Sequence, residues 1–123
     1  MIPFAILSGK IKTRTDEKEI RLLELSPDYF TFRLLKEQAQ KYEQQLSDAG
    51  QQGNIVLSFF QFQKRSYHEV ILDCTKDIVK IELMPQKQME GLVCEICVDV
   101  KNEEYRIYTE RFNKEYLNYI YLK

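Results

Sequence analysis

Few residues of the chain are equipped for chemistry. Cys94 and Cys97 enclose Glu95 and Ile96 in a Cys-x-x-Cys spacing. A redox or zinc site built on that spacing needs a turn or a helix start, so that both thiols converge. Here it falls inside LVCEICVDV, residues 92–100, where Leu92, Cys94, Ile96, Val98 and Val100 share one face of an alternating strand. Cys97 then points away from Cys94, and the third cysteine, Cys74, makes no second pair. His68 is the single histidine, and its neighbours Tyr67 and Glu69 fall on the opposite side of an expected strand. Ser26 lacks a G-x-S-x-G setting and an adjacent base. The acidic pairs Asp16–Glu17 and Glu103–Glu104 read as solvated turn residues. The expectation is a protein that is not an enzyme and that needs neither metal nor cofactor.

One cluster suits anion binding. Lys10, Lys12, Arg14, Lys18, Arg21 and Arg33 lie within the first three expected strands, and Lys10, Lys12 and Arg14 share a parity. Such a row could hold phosphates through charge-assisted hydrogen bonds. It could equally be an edge strand that lysines guard against aggregation.

The composition bounds these readings. A chain of 123 residues with 44% hydrophobic and 30% charged residues can bury one core, so residues 1–123 read as a single globular domain. A net charge of -1 gives no global attraction to nucleic acid or to an anionic membrane. Four glycines leave little material for a Gly-rich phosphate loop. The odd count of 3 cysteines fits a reducing compartment, hence the cytoplasm. MIPFAILSGK lacks a basic segment ahead of its apolar run and reads as the start of a first strand, not a leader. No apolar run approaches the roughly 20 residues of a membrane span.

The elements that would position these residues follow from periodicity. Residues 2–14, 19–25 and 30–34 read as strands, with Ser26-Pro27-Asp28-Tyr29 as the turn between the second and third. Over 35–49 the period changes: Leu35, Ala39, Tyr42, Leu46 and Ala49 form one helical face, Glu37 and Lys41 an i,i+4 pair, and Gly50 a stop. Strands return in NIVLSFFQFQ (54–63), YHEVILD and IVKIELM, with MPQKQMEG as a loop. LVCEICVDV and EYRIYTERF read as a hairpin across KNE, and the tail NKEYLNYIYLK as a short helix capped by Asn113. The expected core is Leu23, Leu25, Phe30, Phe32, Leu57, Phe59, Cys94, Ile96 and Val98, with the parity at 19–25 open to reversal. Seven or eight closely spaced strands indicate a mainly β protein, a small antiparallel barrel or sandwich with one inserted helix and a C-terminal helix.

Strand, ELSPDY, strand, then NIVLSFFQF and a closing helix resembles the PilZ domain family. The resemblance implies a small β-barrel of the family that binds cyclic di-GMP in bacteria. Of the family's corner, Asp or Asn-x-Ser-x-x-Gly, the chain keeps Ser26; Glu24 is a longer acid and Tyr29 replaces the glycine. The family's paired arginines ahead of the barrel have no counterpart, because the first strand begins almost at Met1. Lys10 and Arg14 have the pair's spacing but lie within that strand. The resemblance therefore implies a regulatory or adaptor domain acting through a protein partner or a second copy of itself, with cyclic di-GMP binding weak or lost. The alternative keeps an anionic nucleotide on Arg14, Arg21, Ser26 and Arg33, and a third reading is a barrel for another small molecule.

Overall fold

The computed structural model describes residues 7–13, 16–47, 53–89 and 93–121. Along the chain these form β1 (Leu7–Lys12), β2 (Glu17–Leu25), β3 (Tyr29–Leu35), α1 (Lys36–Ser47), β4 (Asn54–Gln61), β5 (Ser66–Asp73), β6 (Ile78–Met89), β7 (Val93–Val100) and α2 (Glu103–Tyr121). All strand pairs are antiparallel. They form one 7-stranded sheet in the order β5-β4-β1-β2-β3-β7-β6.

The sheet curls. β5 and β6 are its two edges, yet only residues 74–77 join them. Laid flat, the edges would stand roughly 29 Å apart, at 4.8 Å per strand. The short connection reaches about 18 Å when fully extended, and here it is folded: Asp77 N–H donates to Asp73 O at 2.8 Å. The edges must therefore approach one another at this point. β2 makes the bend. It pairs with β1 as far as Arg21 and with β3 from Leu22 onward, with a register shift between Leu22 and Glu24, and a bulge of this kind bends a strand and sharpens its twist. The result is a mainly β half-barrel whose concave side holds the core.

The parity expected for β3, β4 and β7 is the one found: Phe30, Phe32, Leu57, Phe59, Cys94, Ile96 and Val98 are all buried. β2 takes the reverse parity. Ile20 and Leu22 are buried, Leu23 is 40% exposed, and Leu25 only packs against the rim of the core. In β1, Gly9 is buried where a Cβ would come within 2.8 Å of both Leu57 Cδ2 and Val56 O, so only glycine lets β4 lie this close.

β1 is not an edge strand. It lies between β4 and β2, which removes the aggregation guard as an explanation for Lys10 and Lys12. Residues 2–6, the N-terminal part of that expected strand, lie outside the described residues, as do Ala49 and Gly50 of the expected helix. α1 starts at Lys36, buries Ala39 and Tyr42, and packs on β3, β6 and β7. Leu35 closes β3 instead and is exposed. Lys41 pairs with Asp16 Oδ2 at 2.6 Å, across the chain, and not with Glu37. β6 continues through residues 84–89, so this part of the expected loop is strand, and Met89 pairs with Val93.

The largest departure is α2. EYRIYTERF is no strand; one helix runs over Glu103–Tyr121. Its N-cap is Asn102, whose Oδ1 accepts from Tyr105 N–H at 2.8 Å, and Glu103 and Glu104 occupy the favourable first turn. They are helical residues, not a turn. Asn113 sits inside the helix and donates from Nδ2 to Leu25 O at 3.2 Å. Tyr105, Thr109 and Phe112 are buried at helical spacing, with Tyr108 and Tyr116 flanking them. α2 lies against β4 and β5.

Candidate functional site

The Ser26–Tyr29 corner is closed by reciprocal backbone bonds, Ser26 N–H to Tyr29 O at 2.8 Å and Tyr29 N–H to Ser26 O at 3.3 Å. Pro27 presets φ for such a turn. Its Ser26, Asp28 and Tyr29 carbonyls also meet interior donors. The Tyr105 hydroxyl donates to Ser26 O at 2.5 Å and also approaches Tyr29 O at 2.9 Å. Val100 N–H donates to Asp28 O at 2.8 Å. Burial pushes the Tyr105 phenol above its ordinary 10.0, so it stays a donor. Tyr29 turns its hydroxyl to Glu24 Oε2 at 3.2 Å, and this bond to a carboxylate raises its pKa. The corner is thus anchored from within by α2 and β7.

Arg21 lies elsewhere. Five residues from Ser26 along β2, it stands roughly 16 Å away at the rise of an extended strand. It is exposed on the outer face, where Ser8, Lys10, Glu19, Ser58 and Glu69 join it around a shallow depression of about 470 Å3 that Lys18 also lines. Lys10 is partly neutralised there by Glu17 at 3.2 Å. Arg33 is exposed on β3, opposite Glu95 of β7, and does not line the depression. Arg14 lies outside the described residues. The structure therefore does not gather Arg21, Ser26 and Arg33 into one site.

Cys94 and Cys97 face opposite sides of β7. Cys94 is in the core opposite Leu34, and Cys97 is half-buried opposite Thr31. Burial, helped by Asp99, Glu82 and Glu24, pushes the Cys97 thiol up to about 11. Burial likewise pushes Cys74 up to about 12. Both are poor nucleophiles at neutral pH. No group of three or more His, Cys, Asp or Glu among the described residues could hold a metal ion.

His68 is less isolated than its sequence neighbours suggest. Its ring stacks on Tyr108 at 3.9 Å and 5°, and Nε2 lies 3.6 Å from Glu104 Oε2, beyond hydrogen-bonding reach. These contacts depend on α2, so reading residues 104–112 as a strand hid them.

A second cleft, of about 300 Å3, lies between the β4–β5 hairpin and α2. Gln61, Gln63 and Lys64 line it from the hairpin, and Arg111, Lys114, Glu115 and Asn118 from the helix. Sequence reasoning missed it, because its cations are some 50 residues apart in the chain (Lys64 and Lys114). The only local signal was the KR pair at 64–65 in a turn.

No helix among the described residues is long and apolar enough to cross a membrane. No protein-family model, curated protein or solved structure matches the chain.

Proposed function

We propose that the chain is a non-enzymatic, PilZ-like regulatory or adaptor module of a bacterial cytoplasm. It docks a protein partner and binds cyclic di-GMP weakly or not at all. The observation that carries this reading is the pairing of an internally occupied corner with apolar side chains on both sheet edges. Ser26, Asp28 and Tyr29 give their carbonyls to Tyr105 and Val100. Meanwhile Tyr67 and Ile71 of β5 and Val79 of β6 are 54%, 60% and 67% exposed. Among the described residues, β5 has a strand neighbour on one side only. An extended segment of a partner could add to such an edge through main-chain hydrogen bonds, with Tyr67 and Ile71 supplying apolar contacts.

A second reading, an anionic-nucleotide receptor, draws support from the depression around Arg21 alone, with Lys10, Lys18, Ser8 and Ser58 as further donors. It lacks a glycine at the corner, where Tyr29 adds bulk, and a converging set of arginines. Each missing charged hydrogen bond weakens binding by about 1.5–3 kcal/mol.

Calorimetric titration with cyclic di-GMP separates the two. We expect no binding tighter than roughly 100 μM. A dissociation constant near roughly 1 μM, abolished by Ser26→Ala or Arg21→Ala, would put the receptor reading first. For the docking itself, a photoreactive side chain at position 67 in cells should trap one defined protein, and Ile71→Asp should release it. Trapping unaffected by Ile71→Asp counts against docking along β5.

A further inference from the structure

The cleft between the β4–β5 hairpin and α2 has a charge that the rest of the molecule does not explain. The protein carries a net charge of -1, yet Lys64, Arg111 and Lys114 converge on this one cleft. None of them has a carboxylate partner among the described residues. Among the described residues the only acid lining the cleft is Glu115, and its Oε2 accepts from Phe62 N–H at 3.4 Å. The Arg111 guanidinium lies 5.0 Å over the Tyr108 ring, which is itself stacked on His68. Gln61, Gln63 and Asn118 supply amide donors around the same space.

The hairpin side is held in an uncommon shape. Arg65 has φ 52°, the left-handed region that favours glycine, and its N–H closes the turn on Gln61 O at 2.8 Å. Side chains with a Cβ adopt that conformation at a cost, and strained backbone is concentrated at ligand sites and switches. Here the closed turn presents Gln61, Gln63 and Lys64 to the helix. Like charges held together repel unless counter-charges join them; Glu115 offsets one of the three cations, and the positive charge left over is what an anion in this cleft would meet.

We propose that this cleft is a binding site for a phosphate-bearing small molecule, with its phosphoryl oxygens on Lys64, Arg111 and Lys114 and the neighbouring amides. Guanidinium and ammonium groups both make strong charge-assisted bonds to phosphoryl oxygens, and arginine can do so in bidentate fashion. The cleft is at the lower end of the volumes that hold small ligands. That size suits a diphosphate group better than a macromolecule. The site is separate from the Arg21 depression, with which it shares no residue.

The probe is inorganic pyrophosphate, followed by amide chemical shifts in the full chain. Shifts should be confined to residues 61–65 and 111–118. Binding should weaken at least tenfold in the Arg111→Gln/Lys114→Gln double variant, with the change expected from losing one or more charged hydrogen bonds. All three cations are exposed, so the double variant should melt as the parent does. Lys10→Gln/Lys12→Gln should bind as the parent does. Shifts spread evenly over surface lysines, no shift at roughly 10 mM pyrophosphate, a level far above ordinary ligand affinities, or equal affinity in the Arg111→Gln/Lys114→Gln variant would each overturn the proposal.

Discussion

Two hairpin turns of this half-barrel are gripped by the same helix in opposite ways. At the Ser26–Tyr29 corner, α2 offers a buried hydroxyl, and the corner offers its carbonyls. At the 62–65 turn, α2 offers the Glu115 carboxylate to Phe62 N–H and sets Phe112 beside Phe62 at 5.9 Å. Each turn has its side chains arranged accordingly. The corner spends its polar backbone on the interior and leaves little for a ligand. The second turn keeps its cations on the surface and places them beside those of α2. The difference teaches that a motif-like string, ELSPDY, can be a structural joint, while an unremarked QKRS carries the charge a ligand would use.

The sharpest way to break this comparison is to remove the buried hydroxyl. Tyr105 is fully buried and meets Phe30 and Phe59 at centroid distances of 6.1 and 6.2 Å. Tyr105→Ala should cost about 3–5 kcal/mol, as large aromatic truncations do. Tyr105→Phe keeps the ring but removes this donor from Ser26 O and Tyr29 O, which keep their backbone bonds to one another's N–H, a cost of about 0.5–1.5 kcal/mol. Urea unfolding measures both. If Tyr105→Phe is as stable as the parent, the corner is not held by α2's hydroxyl and the contrast between the turns fails.

That dependence was only partly legible beforehand. The strands announced themselves by alternation, and Phe30, Phe32, Leu57 and Phe59 fell where alternation put them. In β2 alternation alone could not choose, because EIRLLEL places leucines on both faces. The bulge between Leu22 and Glu24 is a property of pairing with β3, which no single strand displays. α2 was hidden by its composition. Tyr105, Ile107, Tyr108 and Thr109 are types that favour strands. Tertiary contact along Tyr105, Thr109 and Phe112 overrides that preference. The helical signal that was present, Asn102 followed by Glu103 and Glu104, is a cap and an acidic first turn. Without α2 neither the inward-facing corner nor the Lys64–Arg111–Lys114 cleft could be foreseen, since the helix supplies one side of each.

A milder test uses pH. Burial raises the Tyr105 pKa in the folded chain above its ordinary 10.0. Below that value the phenol is neutral in both states, and its contribution to stability is fully present. Above it the unfolded chain releases the proton first, so the unfolded state binds fewer protons and stability falls as pH rises. The slope from this group is at most about 1.4 kcal/mol per pH unit. Cys74 and Cys97 also titrate with raised values and add to the alkaline loss, but equally so in Tyr105→Phe. The difference between parent and Tyr105→Phe should therefore shrink between roughly pH 10 and 11. A gap that stays constant through that window would mean the hydroxyl ionises as easily in the folded chain as in the unfolded one.

The smallest effect belongs to the other turn. Arg65 holds φ 52° to close the hairpin on Gln61. A left-handed conformation costs a residue with a Cβ roughly 1–2 kcal/mol, and glycine escapes this while losing about 0.5–1 kcal/mol through its freer unfolded chain. Arg65→Gly should thus stabilise the protein by about 0.5 kcal/mol, the difference of those two costs. Arg65→Asn should also stabilise it, since asparagine visits this region readily. Thermal melting at low salt reads the shift, and Arg65→Val should move it the other way. If glycine and asparagine both destabilise, the Arg65 side chain is itself a fastener of the hairpin. The tip would then resemble the corner, a joint held by its own contacts, and the case for a strained turn that presents Lys64 to a ligand would lose its backbone argument.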